Sequence, residues 1–395
     1  MRALPAWVEV DLDALAVNIA EVRRRVGART KILLIVKADA YGHGSVEVAR
    51  EAVRDGVHML GVATVDEGKE LRAAGIEAAL LVLSPVLRDE IPGILDFELR
   101  TTIPDLEFAR ALSEAARARG KLVPVHLEVD TGMGRSGLDP EQAIDVVLQT
   151  SRLPGILVEG VYTHFPVSDT DVEFTRTQLG RFLDIVTRLR QAGVDPPLVH
   201  ASNTAAILQV SAAHLDMVRP GGMLYGCLPD PVLGYPEGLR RVMSFHARLV
   251  QVRHLPAGWS ISYGRDYVTT RDTVVGVVPV GYGHGLSRAY SGGSVLYRGR
   301  RVPILGRVTM DMTLVDLSGF ERPEVGEPIV IFGRQGDEEI TVDEIGARTG
   351  VIGYEVLCGI SKRVVRVYKR HGSAQTMRGL TGVRTLLPAS RVGEE

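Results

Sequence analysis

Val36-Lys37-Ala38-Asp39-Ala40-Tyr41-Gly42-His43-Gly44 is the stretch from which the rest of the chain is read. It follows a short apolar run, Ile32 to Val36, bounded by charge on one side and glycine on the other, the pattern of a strand buried on both faces. A lysine where such a strand stops sits partly desolvated, and its ammonium gives up its proton more readily. Such a lysine can form a Schiff base with a carbonyl cofactor or act as a base. Taken alone, Lys37 reads more simply as a side chain snorkelling out of a strand end. Tyr41, Gly42, His43 and Gly44 then add a hydroxyl, an imidazole and close backbone approach.

Working outward, the run is the first of eight. Ile32–Val36, Met59–Ala63, Ala79–Leu83, Leu99–Ile103, Val123–Val129, Val158–Thr163, Leu198–Ala201 and Asp216–Arg219 alternate with helix-like stretches. Leu179, Phe182, Val186 and Leu189 share one helix face, as do Phe108, Leu112 and Ala115, with Pro104 suited to a first turn. Eight strands with helical crossovers fit an α/β fold of the TIM type, a (β/α)8 barrel, for which about 250 residues is typical. A doubly wound open sheet is the rival, because alternation does not show closure. Between Gly226 and Gly238 prolines and glycines break every period, which marks a linker. Beyond it, β-branched runs separated by turns indicate a mostly β domain. The expected division is 1–230 for the barrel, 231–370 for the β-rich domain, and 371–395 for a C-terminal extension or frayed tail.

A chain of 395 residues with 45% hydrophobic content can bury a large core, and its formal charge of -2 argues against nucleic acid or anionic membrane as partners. No apolar run approaches a membrane span, and the start has no signal-peptide core. Cys227 and Cys358 are too few for a disulfide framework or a thiolate zinc site, and no metal site is expected. These features lead to the expectation of a cytoplasmic protein.

In a β/α barrel, polar residues at the C-terminal strand ends are candidate site residues. Lys37 ends the first run, and Asp130-Thr131-Gly132-Met133-Gly134-Arg135 follows the fifth. His164 follows the sixth, Ser202-Asn203 the seventh, and Arg219-Pro220-Gly221-Gly222 ends the eighth. Gly221 and Gly222 suit a phosphate cradle of backbone N–H groups, to which Ser202 adds a hydroxyl.

The Lys37 segment resembles the pyridoxal-phosphate lysine motif of bacterial alanine racemases, enzymes of fold type III. Arg219-Pro-Gly-Gly-Met-Leu-Tyr-Gly resembles that family's Arg-Pro-Gly segment, with Gly222 where an apolar side chain is usual. Ser262-Tyr263-Gly264, Met310-Asp311 and Gly353-Tyr354-Glu355 resemble three further segments, whereas Gly281-Tyr282-Gly283-His284-Gly285 departs from the family's Gly-Tyr-Ala-Asp-Gly. The resemblance implies an isomerase that interconverts L- and D-alanine with pyridoxal 5'-phosphate, supplying D-alanine for peptidoglycan. It makes Lys37 and Tyr263 the two bases and sets Arg219 against the pyridine nitrogen. It gives the phosphate to Tyr41, Ser202, Gly221, Gly222 and Tyr354, and brings His164 to the cofactor. It also gives the substrate to Arg135 and Met310, with Glu128 and Asp311 in support. It implies a homodimer in which Tyr263 and Met310 reach the other subunit's site. Serine or a broader substrate range stays open, as does a decarboxylase on the same architecture. Many relatives of this kind have a carbamylated lysine at the position of Glu128. Its carboxylate is therefore expected within roughly 2.7–3 Å of Arg135.

Overall fold

The computed structural model describes residues 4–386, which divide into two compact units: Leu15–Leu239, and residues 4–14 together with 240–386. In the first, eight parallel strands close into a barrel: Lys31–Ile35, Met59–Val62, Ala79–Val82, Arg100–Ile103, Val123–Glu128, Ile156–Tyr162, Leu198–His200 and Met217–Val218. Closure excludes the open-sheet rival, because Lys31 and Ile32 pair with Met217 and Val218. The helices between strands form for local reasons. Val172–Gln191 is capped by Asp171, which accepts the Phe174 N–H, and it buries Leu179, Phe182, Ile185, Val186 and Leu189. Leu106–Ala118 is capped by Asp105, so Pro104 stands just before the helix and not in its first turn.

The barrel interior has two chemically different halves. Leu33, Ile35, Met59, Leu81, Leu198 and Met217 form an apolar cluster, which Gly61 accommodates because a Cβ there would meet Leu33 at 2.6 Å. Contacts between strands that are not neighbours must cross the interior, and the polar ones lie on the other half. The Thr102 hydroxyl meets Tyr162 Oη at 3.0 Å, and His126 Nδ1 meets His200 Nε2 at 2.8 Å.

In the second unit, Ala6–Asp11 pairs antiparallel with Met243–Arg248 and parallel with Val365–Arg370, at the centre of a nine-stranded sheet among the described residues. Residues 4–14, expected in the barrel domain, therefore belong to the β-rich unit. Their alternation Trp7-Val8-Glu9-Val10 is that of a half-buried strand, and its partners lie more than 200 residues away. A smaller sheet joins Gln251–Leu255, Thr273–Val278 and Thr313–Asp316. The unit also contains helices Val342–Thr349 and Gly353–Cys358, which the β-branched pattern did not suggest. The expected tail is partly ordered, since Ser373–Gly379 and Gly382–Thr385 extend the large sheet as a hairpin. Residues 387–395 of that expectation lie outside the described residues.

Candidate active site

Lys37 sits half-buried directly after the first barrel strand, and the backbone beyond it takes an unusual path. Ala38, Asp39, Ala40 and Tyr41 all have φ between 53° and 55°, which makes one turn of left-handed helix. Each such L-residue costs about 1–2 kcal/mol, so the turn is held from outside. Glu67 accepts the Ala38 N–H at 2.7 Å, and Asp39 accepts the Ser45 N–H at 2.9 Å. Gly42 and Gly44 return their N–H groups to Ala38 and Asp39. The turn swings Tyr41 back against the eighth strand's loop. A Cβ on Gly221 would lie 2.7 Å from Tyr41 Oη, so the absence of a side chain there makes a cradle beside that hydroxyl. Thr204 Oγ1 accepts the Gly221 N–H at 3.2 Å, while the Gly222 N–H has no partner among the described residues. The hydroxyl of Ser202, expected to face a phosphate, donates instead to the Ala213 carbonyl at 2.6 Å. Thr204, absent from the sequence expectations, stands beside the cradle.

Arg219 is 5% exposed. One N–H of Nη1 goes to His200 Nδ1 at 2.7 Å, and Nη2 donates to the carbonyls of Thr163 at 2.7 Å and Ala201 at 3.0 Å. Its guanidinium lies 5.0 Å over the Tyr162 ring. Burial lowers its pKa to about 10, partly opposed by Tyr162 and Glu128, so it stays a cation. Its Nε–H and second Nη1–H have no partner among the described residues. His164 Nδ1 lies 3.4 Å from Nη2. Burial first, then the charges of Arg219, Arg135 and Lys37, hold its imidazole well below the ordinary histidine range. His164 is thus the group on which the charges of Arg219, Arg135 and Lys37 all bear.

The Glu128–Arg135 bond expected from the sequence is not made. Glu128 is buried and accepts the Ser136 hydroxyl at 2.8 Å, while Arg135 is exposed and makes no ion pair among the described residues. The loop between them explains this. Asp130 accepts the N–H groups of Gly132, Met133 and Gly134, and Leu138 returns its N–H to the Glu128 carbonyl at 2.7 Å. That tight return sets Ser136 over Glu128 and turns Arg135 outward. Glu128 still acts on Arg219 and Tyr162 through its charge.

In the β-rich unit, Tyr263 is 70% exposed at the tip of a turn whose flanking Ser262 and Arg265 have positive φ. Ser262 Oγ donates to the Arg307 carbonyl at 2.7 Å, which fixes that turn. Met310 is 52% exposed, and Asp311 pairs with Arg363 at 2.8 Å. His284, whose role the sequence left open, accepts the Gly281 N–H on Nδ1 and so braces its own loop. A Cβ on Gly281 would lie 2.0 Å from the Thr309 carbonyl oxygen, which requires glycine there. Tyr354 is half-buried in helix Gly353–Cys358.

Sequence reasoning missed the residues behind Arg219: Tyr162, Thr163, His200, His126, Glu159 and Arg100. The available signal was the spacing of His126 two residues before Glu128, which puts both on one face of a strand.

Among the described residues no helix is long and apolar enough to cross a membrane, and no group of three metal-binding side chains converges. The alanine racemase N-terminal domain pattern matches residues 10–229 and the alanine racemase C-terminal domain pattern residues 242–368. "Alanine racemase 2" of Caldanaerobacter subterraneus subsp. tengcongensis is 42% identical, covering 93% of this chain and 96% of its own. An alanine racemase of Methanococcus maripaludis is 38% identical over 93% and 100%. Among solved structures, alanine racemase of Bacillus anthracis with bound L-Ala-P aligns with TM-score 0.89 at 34% identity, covering 95% and 98%. That of Clostridium difficile 630 aligns with TM-score 0.90 at 32% identity, covering 96% and 99%. With both domain patterns matched across nearly its whole length, the chain belongs to the alanine racemase family.

Proposed function

We propose that this protein interconverts L-alanine and D-alanine in the cytoplasm, using pyridoxal 5'-phosphate held at Lys37, and so supplies D-alanine for peptidoglycan. The observation that carries the reading is the cradle at Gly221, which a single Cβ would fill, lying beside Tyr41 four residues after Lys37. The residues present fit the cofactor. Tyr41, Gly222 N–H and Thr204 offer donors at a glycine-lined anion site, with Ser202 shaping the strand end. Arg219 offers its remaining N–H groups to a ring nitrogen. As a permanent cation it donates without giving up a proton. His164, kept neutral, lies beside it.

When bound, the cofactor acts as an electron sink that makes the substrate α-proton acidic. Racemisation then needs a base on each face of the α-carbon. Lys37 Nζ serves one face. Tyr263 Oη, exposed at the tip of its fixed turn, serves the other from a second copy of the chain, which also contributes the exposed Met310. A phenol near neutral pH needs a neighbouring cation to act as a base, and Arg135 meets that need while also receiving the substrate carboxylate. Asp311 holds its segment through Arg363, and Glu128 holds the Arg135 loop through Ser136.

Chiral chromatography of single-enantiomer alanine and serine tests the reaction. Inversion of alanine supports the reading, and carbon dioxide release without inversion refutes it. Borohydride reduction followed by peptide mapping should label Lys37, and label on another lysine would refute its assignment. Tyr263→Phe should nearly abolish inversion while leaving bound-cofactor absorbance intact. Loss of that absorbance would make Tyr263 a binding residue instead.

A further inference from the structure

A chain of five hydrogen-bonded groups runs from Arg219 across the barrel interior to Arg100 at the partly exposed start of the fourth strand. Arg219 Nη1 meets His200 Nδ1 at 2.7 Å, His200 Nε2 meets His126 Nδ1 at 2.8 Å, and His126 Nε2 meets Glu159 Oε2 at 3.2 Å. Glu159 is clamped by Arg100, with Nε at 2.7 Å and Nη2 at 3.2 Å. The proton on every link is determined. Arginine only donates, so His200 Nδ1 accepts and its proton lies on Nε2. His126 Nδ1 must then accept, and its Nε2–H donates to the carboxylate. Both ends impose the same direction, and both imidazoles are neutral and fully buried.

Two features of the backbone build this chain. Between the fifth and sixth strands Val125 pairs with Val158 but His126 pairs with Gly160, so Glu159 is an extra residue and the local register is bulged. Bulges of this kind re-aim a side chain, here the carboxylate of Glu159 toward His126. The residue after it has to be glycine. A Cβ on Gly160 would lie 2.3 Å from His126 Nδ1 and 2.4 Å from its Cε1. The apolar half of the same barrel is filled by aliphatic side chains, without the desolvation that two imidazoles and a carboxylate incur.

We propose that Glu159 is a positioning residue for Arg219: through His126 and His200 its anion strengthens the acceptor that holds Nη1 and so keeps the remaining N–H groups of Arg219 available to the cofactor's ring nitrogen. The proposal rests on the cofactor reading of Arg219. Hydrogen bonds in series polarise one another, so a charge at one end is felt at the other. Glu159→Gln keeps the oxygen that His126 needs and removes the charge. Glu159→Leu removes the acceptor altogether.

The test uses the full chain with cofactor bound and ¹⁵N-labelled histidine. Wild type should show His126 and His200 as neutral Nε2–H tautomers. In Glu159→Gln the tautomers should persist while both Nε2–H protons move upfield, and His200 does not touch residue 159. In Glu159→Leu the single tautomer should be lost, the bound-cofactor absorbance should shift, and kcat should fall roughly tenfold with KM little changed, the scale of one charge-assisted hydrogen bond. Glu159→Asp should recover the wild-type spectrum. An Nδ1–H tautomer at either histidine in wild type would overturn the proposal. So would a His200 resonance and cofactor absorbance that both stay at wild-type values in Glu159→Gln and Glu159→Leu. Absence of borohydride label at Lys37 would instead refute the cofactor reading, because the histidine resonances report the chain independently.

Discussion

Gly221→Ala separates the phosphate cradle from the fold that carries it. The new Cβ would lie 2.7 Å from Tyr41 Oη, whereas ordinary contact begins at 3.4 Å, so the hydroxyl has to retreat by about 0.7 Å. The clashing atom is the far end of a side chain whose ring is tilted against Tyr225 at 5.0 Å, and Tyr225 is itself anchored to the Ile35 carbonyl at 2.7 Å. Tyr41 can swing outward, so folding should lose only about 1 kcal/mol. Binding should lose more. A hydrogen bond from a phenol to a charged phosphate is worth about 1.5–3 kcal/mol, which corresponds to roughly 10–150-fold in Kd. Titrating cofactor-stripped variants with pyridoxal 5'-phosphate, followed by absorbance, measures this directly. Pyridoxal without its phosphate should bind wild type and variant equally. Tyr41→Phe should show the same loss, and the double variant should add little to either. An unchanged Kd for pyridoxal 5'-phosphate, or an equal loss for pyridoxal, would refute the cradle.

Ala38→Gly should stabilise the barrel, because glycine takes the left-handed conformation without the Cβ penalty. A gain of about 1 kcal/mol would raise Tm by roughly 2–4 °C, and a lower Tm would mean that the turn is not strained. Stability should fall as pH drops below the ordinary histidine value of 6.5. Burial keeps His126, His164 and His200 neutral in the folded chain while their unfolded counterparts take up protons, so this contribution is complete above that pH and lost beneath it. Each should cost up to about 1.4 kcal/mol per pH unit, so urea midpoints that do not differ between pH 7.5 and 5.5 would contradict the burial of these imidazoles. Gly160→Ala should destabilise by about 1–3 kcal/mol, since its Cβ meets a buried ring and not a movable tip. Chemical denaturation showing no loss would refute that packing.

Local pattern in the sequence was enough for the eight barrel strands, each within a residue or two of its observed bounds, because fully buried parallel strands read as short apolar runs between breakers. It also placed Lys37, Arg219 and the Gly221-Gly222 pair at the C-terminal ends of barrel strands, where the structure has them. What it could not supply were relations set by distant partners. Ala6–Asp11 reads as a strand from its alternation, but only the tertiary structure joins it to strands more than 200 residues away. The left-handed turn at Ala38–Tyr41 runs against local preference and is imposed by Glu67, a residue on a different helix. Glu128 could be placed on the right strand face, yet the return of the Asp130–Gly137 loop decided that Ser136 and not Arg135 meets it. The histidine chain behind Arg219 depends on a one-residue register slip between two strands. Such a slip is a property of strand pairing and leaves no signal in either strand alone.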